Sequence, residues 1–300
     1  MQPYVIERFV LAEQTKRQLR GLKPKFGYGQ FSEFIFYKHY SRAKDDGSME
    51  SWADVIIRVT EGVMSIRKDH MVRNNLQWDE FEMQHYAVGF ALSMFNMHWL
   101  PPGRGMWAMG TQFVYDRGAM PLYNCAFTTI GNFIGDDIHW AMDCLMNGVG
   151  VGAEPLRTDN LETFSPVRCD DVYVIEDSRE GWCDSTKILI DAHLTRGAKL
   201  PTFDYSAIRQ AGSLIKGFGG IASGAGPLKE FHYRIRRYFE SYNNDPYYDE
   251  IQLKADLMNA TGVCVVSGNV RRSAEILSGS IDDDTFLNLK DYNINPYRAE

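Results

Sequence analysis

From residue 101 onwards, short apolar runs alternate with longer segments in which apolar residues recur every three or four positions. The short runs are typical of β-strands, and the longer segments have the period of α-helices. Strands separated by helices favour parallel βα units, because two parallel strands need a crossover connection of helical length. The predicted strands cover residues 122–130, 148–152, 171–175 (of a buried type), 203–208 and 273–277, and the predicted helices cover residues 133–146, 178–194, 227–242 and 250–266.

The first hundred residues have a different pattern, which is helical throughout. Ser51 and Asp54 have the spacing of a capping box ahead of one helix. A second helix carries an aromatic stripe, which includes Phe81 and Tyr86, and stops before Pro101; we expect this stripe to lie in the core. The chain is therefore predicted to be an α/β protein with a helical region at residues 1–100 and a second domain at residues 101–300.

The charge balance and the cysteine pattern argue against several classes of protein. The net charge is −7 and the pI is about 5.6, whereas a chain that grips a nucleic acid polymer normally has a basic surface. The five cysteines form no Cys-x-x-Cys pair, which argues against a disulfide framework and a metal site and favours a reducing, cytoplasmic compartment. No secretory signal and no apolar run of about 18 residues is found, so no membrane partner is predicted.

Two adjacent arginines stand in a glycine-containing segment between the last predicted helix and strand. The segment begins with Gly268 and Asn269 and continues to Arg271 and Arg272. Glycine permits a tight backbone, and paired guanidinium groups are planar donors that suit phosphate oxygens. This pattern favours a loop that closes over a polyphosphate, and the alternative is a surface turn with two solvated arginines.

Three glycines alternate in the segment that follows the helix at 133–146. If Gly148, Gly150 and Gly152 occupy one strand, they clear one of its faces, so that a ligand can lie against bare backbone. The alternative is close packing of a helix on that strand. Cys125 lies in the preceding predicted strand, and taken alone it has the character of a small buried apolar residue.

A second glycine-rich stretch, residues 209–224, holds five glycines together with Arg209, Ser213 and Lys216. Its backbone N–H groups could cradle phosphates, although no Walker-type Gly-Lys-Ser/Thr follows. A flexible surface loop is the alternative. Residues 101–107 have the composition of a helix stop and a turn.

Taken in order, these segments resemble ribonucleotide reductases, and in particular the adenosylcobalamin-dependent class that reduces ribonucleoside triphosphates. The segments that carry the resemblance are residues 40–42, 102–107, 124–125, 148–152, 176–182, 217–228 and 268–276. The resemblance implies a ten-stranded α/β barrel, of which residues 101–300 form the first part. It implies deoxyribonucleotide synthesis for DNA replication by reduction of the ribose 2′-hydroxyl.

The resemblance also implies roles for individual residues. Cys125 is similar to one of the two cysteines that reduce the ribose, and Asn124 and the glycine strand at 148–152 are similar to substrate-pocket neighbours. Residues 208–220 resemble a first specificity loop. Residues 268–273 resemble a second one, which communicates between a deoxynucleoside triphosphate effector and the substrate base.

Two departures from the family pattern bear on function. Val149 stands where the family often has glycine. The Asn-Pro-Cys-x-Glu segment of the radical cysteine is not found, and Asn295-Pro296-Tyr297 has tyrosine in the cysteine position. We therefore expect activity to need a complementary C-terminal half that carries the radical cysteine, the second reducing cysteine and most of the adenosylcobalamin contacts, together with a thioredoxin-type reductant. The alternatives are a non-catalytic nucleotide-binding regulatory fragment and a large-subunit fragment of a metal-radical class.

Overall fold

The N-terminal unit, Met1–Tyr123, is built from helices. The computed structural model describes residues 3–27, 29–44, 46–158, 160–213, 221–267 and 274–296. The helices of this unit are α1 (Glu13–Gly21), α2 (Gln30–His39), α3 (Trp52–Arg73), α4 (Glu80–Phe95), α5 (Gly103–Ala108) and α6 (Gln112–Arg117), followed by a 3₁₀ turn at Met120–Leu122. The predicted helical character of the N-terminal region is confirmed.

The start of α3 follows directly from its sequence. The Ser51 hydroxyl accepts a hydrogen bond from the Asp54 backbone N–H, and the Asp54 carboxylate accepts one from the Ser51 backbone N–H. This is the predicted capping box, which satisfies two backbone donors that the helix leaves unpaired. The aromatic stripe of α4 is only partly in the core: Phe95 is buried, whereas Phe81 is 86% exposed and Tyr86 is also exposed.

The second unit, Asn124–Glu300, is a mixed α/β structure. The domain boundary predicted between residues 100 and 101 stays a prediction. The strands of this unit are β1 (Cys125–Ile130), β2 (Gly150–Pro155), β3 (Val167–Val174), β4 (Lys199–Asp204) and β5 (Glu275–Leu277), and its helices are α7 (Ile134–Met146), α8 (Arg179–Leu194), α9 (Gly226–Asn244), α10 (Glu250–Val266) and α11 (Asp284–Asn288).

Three of these strands form one parallel sheet in the order β1–β2–β5. Helices α7 and α10 contact this sheet, and the β2 side chains Val151 and Ala153 are buried beneath them. Helix α10 is buried around almost its whole circumference, which is typical of a helix enclosed by its neighbours. The predicted parallel βα arrangement is confirmed in this part of the chain.

The strands β3 and β4 form a separate two-stranded parallel sheet. The prediction that residues 171–175 form a buried strand is wrong: Val172 is 62% exposed and Val174 is also exposed, although Ile175 beyond the strand end is buried. Strand β3 pairs with one neighbour only and therefore lacks the enclosure that a central strand of a larger sheet has. The strand expected at 203–208 is found earlier, as β4.

Among the described residues, none of the helices combines the length and the apolar character that crossing a membrane requires.

Candidate functional site

One face of the β1–β2–β5 sheet brings a thiol next to bare backbone. In the parallel register Cys125 lies opposite Gly150, so both positions project to the same face of the sheet. A Cβ added to Gly150 would lie 3.9 Å from the Cys125 Sγ and 3.4 Å from the Asn124 carbonyl oxygen. Cys125 is an exposed free thiol, so its interpretation as a small buried residue is wrong.

The same face continues one step further along the strands. Phe127 lies opposite Gly152, and Gly152 lies opposite Ile276 of β5. A Cβ on Gly152 would come within 2.6 Å of Phe127 Cδ2 and 3.5 Å of Ile276 Cγ2, so the glycine gives these side chains their room. Phe127 is 55% exposed and Ile276 is 67% exposed. We call the face formed by Cys125, Phe127, Gly150, Gly152 and Ile276 the open face.

Phe127 and Ile276 are not among the predicted site residues, although the sequence carries a signal for Phe127. The two-residue spacing of Gly150 and Gly152 matches the spacing of Cys125 and Phe127 on the paired strand. Parallel pairing then places Cys125 beside Gly150 and Phe127 beside Gly152 on the same face of the sheet. Ile276 gave no such signal, since the neighbour relation of β5 to β2 depends on tertiary structure.

Gly148 has a different place from the one predicted. It precedes β2 and has φ +77°, in the left-handed region that favours glycine. The Gly148 N–H donates to the Leu145 carbonyl (2.8 Å), and the Val149 N–H donates to the Cys144 carbonyl (3.0 Å), which is the pattern of a Schellman motif at the end of α7. Gly148 therefore ends a helix and does not clear a strand face. Asn124 lies at the start of β1, where its carbonyl accepts from the Gly150 N–H at 2.8 Å.

The other cysteines lie in different surroundings. Burial, together with the nearby Asp143, raises the pKa of Cys144 to about 12. Burial also raises the pKa of Cys264 to about 12 and the pKa of Cys183 well above its ordinary value. These three thiols stay protonated near neutral pH and lack the thiolate that nucleophilic and redox reactions use. Cys169 is half-buried on β3, in the other sheet.

The segment that carries Arg209 is closed at its base by backbone hydrogen bonds. The Gly212 N–H donates to the Ala222 carbonyl (2.9 Å), and the Ala222 N–H donates to the Ser213 carbonyl (2.8 Å). Arg209 forms an ion pair with Asp177, with 2.7 Å between Nε and Oδ2. Arg209 is thus held beside the start of α8 and is not part of the open face.

Several predicted site residues lie outside the described part of the chain. These residues are Lys216, Gly268, Asn269, Arg271 and Arg272. Their assignment to the two specificity loops stays a prediction.

Some segments that resemble family motifs have a structural role here. The Arg42 guanidinium lies 4.7 Å from the centre of the Trp107 ring and also donates to the Trp107 carbonyl, so segments 40–42 and 102–107 pack together. Ser178 caps α8 by accepting from the Gly181 N–H, and Arg179 pairs with Asp143 at 2.8 Å. These contacts account for the residues without invoking a ligand.

Comparison with known proteins gives the class of protein first. A family model of the ribonucleotide reductase alpha domain matches residues 11–111, and a model of the B12-dependent ribonucleotide reductase insertion domain matches residues 150–238. The fold superposes with a TM-score of 0.76 on the crystal structure of a B12-dependent (class II) ribonucleotide reductase at 23% identity, covering 97% of this chain and 47% of that one.

Two relatives make the assignment more specific. An adenosylcobalamin-dependent ribonucleoside-triphosphate reductase of Euglena gracilis is 38% identical over 98% of this chain, and a protein of Dictyostelium discoideum named as a probable enzyme of the same kind is 34% identical over 98%. The chain belongs to the class II, adenosylcobalamin-dependent ribonucleotide reductase family and matches its N-terminal portion. It spans about two fifths of the length of these relatives, 41% in each case. The family assignment disfavours the metal-radical alternative.

Adenosylcobalamin carries its cobalt inside the corrin ring and needs no cluster of protein ligands to hold it, so cavity size is the test of fit. The cavities of about 440 Å³ in the first unit and about 310 Å³ in the second have the size that drug-sized ligands fill, whereas a corrin with its nucleotide loop and adenosyl group is much larger. We assign none of these residues to the cofactor.

Proposed function

We propose that this chain is the N-terminal part of a ribonucleoside-triphosphate reductase and that Cys125 is one of its two reducing thiols. The substrate lies against the open face, with its ribose at Cys125 and Gly150. The strands β1, β2 and β5 are the first strands of the ten-stranded barrel. The remaining part of the protein supplies the second thiol, the radical cysteine and the adenosylcobalamin contacts.

The chemistry needs two thiols. Reduction of a ribonucleotide breaks the bond between C2′ and its hydroxyl oxygen, and the oxygen leaves as water while a hydrogen takes its place on carbon. The two electrons and two protons come from two cysteines, which become joined as a disulfide. A thioredoxin-type dithiol then reduces that disulfide and prepares the site for the next turnover.

One observation supports this role above the others, which is the position of the Cys125 sulfur over glycine backbone. A side chain at Gly150 would occupy the space within 3.9 Å of that sulfur, where a ribose would have to lie. The exposure of Cys125 leaves its thiol accessible, in contrast to the buried Cys144, Cys183 and Cys264. Recognition of the base and of a deoxynucleoside triphosphate effector is assigned to residues 208–220 and 268–273.

Substitution of the sulfur tests the proposal. The chain is combined with a polypeptide that covers the remaining length of a relative, together with adenosylcobalamin, a dithiol and a ribonucleoside triphosphate. We expect the mixture to form deoxyribonucleotide and Cys125→Ser to form none, even in a first turnover, because a hydroxyl cannot form the disulfide that supplies the electrons. Chromatographic product analysis measures the result.

Cys169→Ser is the matched control, since Cys169 is half-buried on the separate β3–β4 sheet. It should retain the activity of the unchanged chain. Equal activity of Cys125→Ser and the unchanged chain would contradict the role of Cys125. An assembled mixture that binds nucleotides and never reduces them, while an intact relative does, would favour the regulatory-fragment alternative.

A further inference from the structure

Behind the open face, the sheet carries a buried acidic group. Glu275 lies opposite Val151 in the β2–β5 register, so its side chain projects toward the helices, whereas the next residue, Ile276, projects to the open face. The Glu275 Oε1 atom is buried and has no hydrogen-bond partner among the described residues. Such an unsatisfied polar group is costly and calls for a specific explanation.

The absence of a side chain at Gly262 in α10 leaves a gap, and this carboxyl group occupies it. A Cβ added to Gly262 would lie 2.5 Å from Glu275 Oε1 and 2.6 Å from Oε2. Any side chain at position 262 would therefore displace the carboxyl group. Gly262 lies inside α10, where glycine costs helix stability, so its presence is explained by the close approach of Glu275.

Among the described residues, no charged side chain contributes to the pKa of Glu275. The stretch of α10 from residue 257 to residue 266 holds no acidic or basic side chain, and its thiol, Cys264, has a pKa of about 12. On β2 the acidic residue Glu154 falls in the alternation of Gly150 and Gly152, on the opposite face. Burial alone raises the pKa of Glu275 to about 8, so the carboxyl group is largely protonated at neutral pH.

We propose that Glu275 is a positioning residue, whose protonated carboxyl group sits in the gap at Gly262, holds β5 against β2 and thereby places Ile276 beside Gly152. Ionisation of Glu275 in this apolar gap is unfavourable, so loss of its proton releases β5 from the sheet edge. The docking of β5 is independent of the proposed reductase activity. Its consequence for the open face rests on that proposed function.

Two backbone hydrogen bonds report on the docking of β5. The Ser278 N–H donates to the Ala153 carbonyl, and the Val151 N–H donates to the Ala274 carbonyl, both at 2.9 Å. The Gly150 N–H, which donates to the Asn124 carbonyl, belongs to the β1–β2 pair and serves as the internal reference.

Hydrogen exchange of these amides tests the proposal in the chain as it is. Opening of β5 exposes Glu275 to water, where its pKa is ordinary, so opening releases a proton between about pH 5 and pH 8. We expect the protection factors of the Ser278 and Val151 amides to fall by about tenfold for each unit by which the pH rises in that range. The Gly150 amide should show no such fall.

Glu275→Gln is the conservative variant, because it keeps the shape of the side chain and cannot ionise. Its protection factors should not depend on pH. Gly262→Ala should lower protection at every pH, and Gly262→Ala with Glu275→Ala should restore it. Equal pH dependence in the unchanged chain and in Glu275→Gln would overturn the proposal, and so would unaltered protection in Gly262→Ala. Because exchange needs no turnover, failure of the proposed reductase activity would leave these results unchanged.

Discussion

At the scale of single residues, His232 shows how burial removes a charge. The ring is completely buried on α9, and its Nδ1 lies 2.8 Å from the Tyr205 hydroxyl. Burial, with a smaller effect from the cationic Arg236, lowers the pKa of His232 to about 3. The imidazole is therefore neutral in the folded chain throughout the physiological range.

This depressed pKa predicts a loss of stability in acid. Between about pH 6.5 and pH 3 the unfolded chain binds a proton at His232 that the folded chain does not, so the free energy of unfolding falls as pH falls. From pH 7 to pH 5 the loss from this one group is roughly 2 kcal/mol. Urea denaturation of the unchanged chain and of His232→Asn, which retains an acceptor for Tyr205, should differ by that amount in their pH dependence. An identical pH dependence in the two proteins would show that the pKa of His232 is the same in the folded and in the unfolded chain.

Residues differ in how far the sequence reveals them. The two-residue spacing of the glycines predicted a bare strand face, and the family pattern implied that Cys125 and this strand are neighbours in one pocket. The same reasoning misplaced Gly148, because a glycine that ends a helix and a glycine that opens a strand look alike in sequence. Glu275 gave no signal, since its burial depends on a gap at Gly262 that only the packing of α10 on β5 creates.

At the scale of elements, the start of α10 combines two stabilising interactions. The Asp249 carboxylate accepts hydrogen bonds from the Ile251 and Gln252 N–H groups, and the Gln252 side chain accepts from the Asp249 N–H. Asp249 also pairs with Arg157 at 2.7 Å. Since Arg157 pairs with Asp283 at the start of α11 as well, this cap joins two helices to the end of β2.

The two interactions at Asp249 can be separated by substitution. Asp249→Ala removes the cap and should cost about 1–2 kcal/mol of unfolding free energy. Asp249→Ser keeps a capping oxygen and removes the charge and the hydrogen bond that Asp249 accepts from the Thr285 hydroxyl (2.6 Å). A partly exposed ion pair contributes less than about 1 kcal/mol. Chemical denaturation of the three proteins measures both differences. Equal losses in the two variants would assign the stabilisation to the contacts with Arg157 and Thr285 instead of the cap.

Elements were predictable where local chemistry fixes their ends. Helix α10 has the predicted bounds because Asp249 caps its start, and α3 begins at the predicted capping box. Strand β3 was placed nearly correctly and its burial was wrong, because burial depends on how many neighbours a strand has. The shift of β4 from 203–208 to Lys199–Asp204 has the same origin, since pairing with β3 and not the apolar run sets its bounds.

At the scale of the whole molecule, the edges of the β1–β2–β5 sheet matter most. Among the described residues β1 pairs only with β2, and the bonds to β2 use Asn124 and Ile130, at even positions of the chain. The N–H groups at odd positions, such as Thr129, point away from β2. An open strand edge of this kind is a template for pairing with another chain.

The isolated chain should therefore self-associate as its concentration rises. Thr129→Pro removes one outward N–H and leaves the bonds to β2 in place, so it should shift the association to higher concentration. Sedimentation velocity over a concentration series measures this shift, with circular dichroism as the check on folding. Indistinguishable association of the two proteins would place the contact elsewhere.

The family pattern gave the α/β class and the N-terminal portion of a class II reductase, because ordered short motifs are specific as a set. It could not give the division of the chain at Tyr123 and Asn124, which depends on contacts between distant residues. It also could not show that segments 40–42 and 102–107 pack on one another. Both segments stand out in the sequence, but their contact joins residues that are far apart in the chain.

The hydrogen bonds that join Gly212 and Ser213 to Ala222 have a practical consequence for engineering. They fix both ends of the intervening stretch independently of its contents. Lengthening a closed loop is inexpensive, about 0.6 kcal/mol for each doubling. An epitope tag inserted between Ser213 and Ala222 should leave the rest of the chain folded, so any loss of activity that it causes would report on the recognition role proposed for residues 208–220 and not on unfolding.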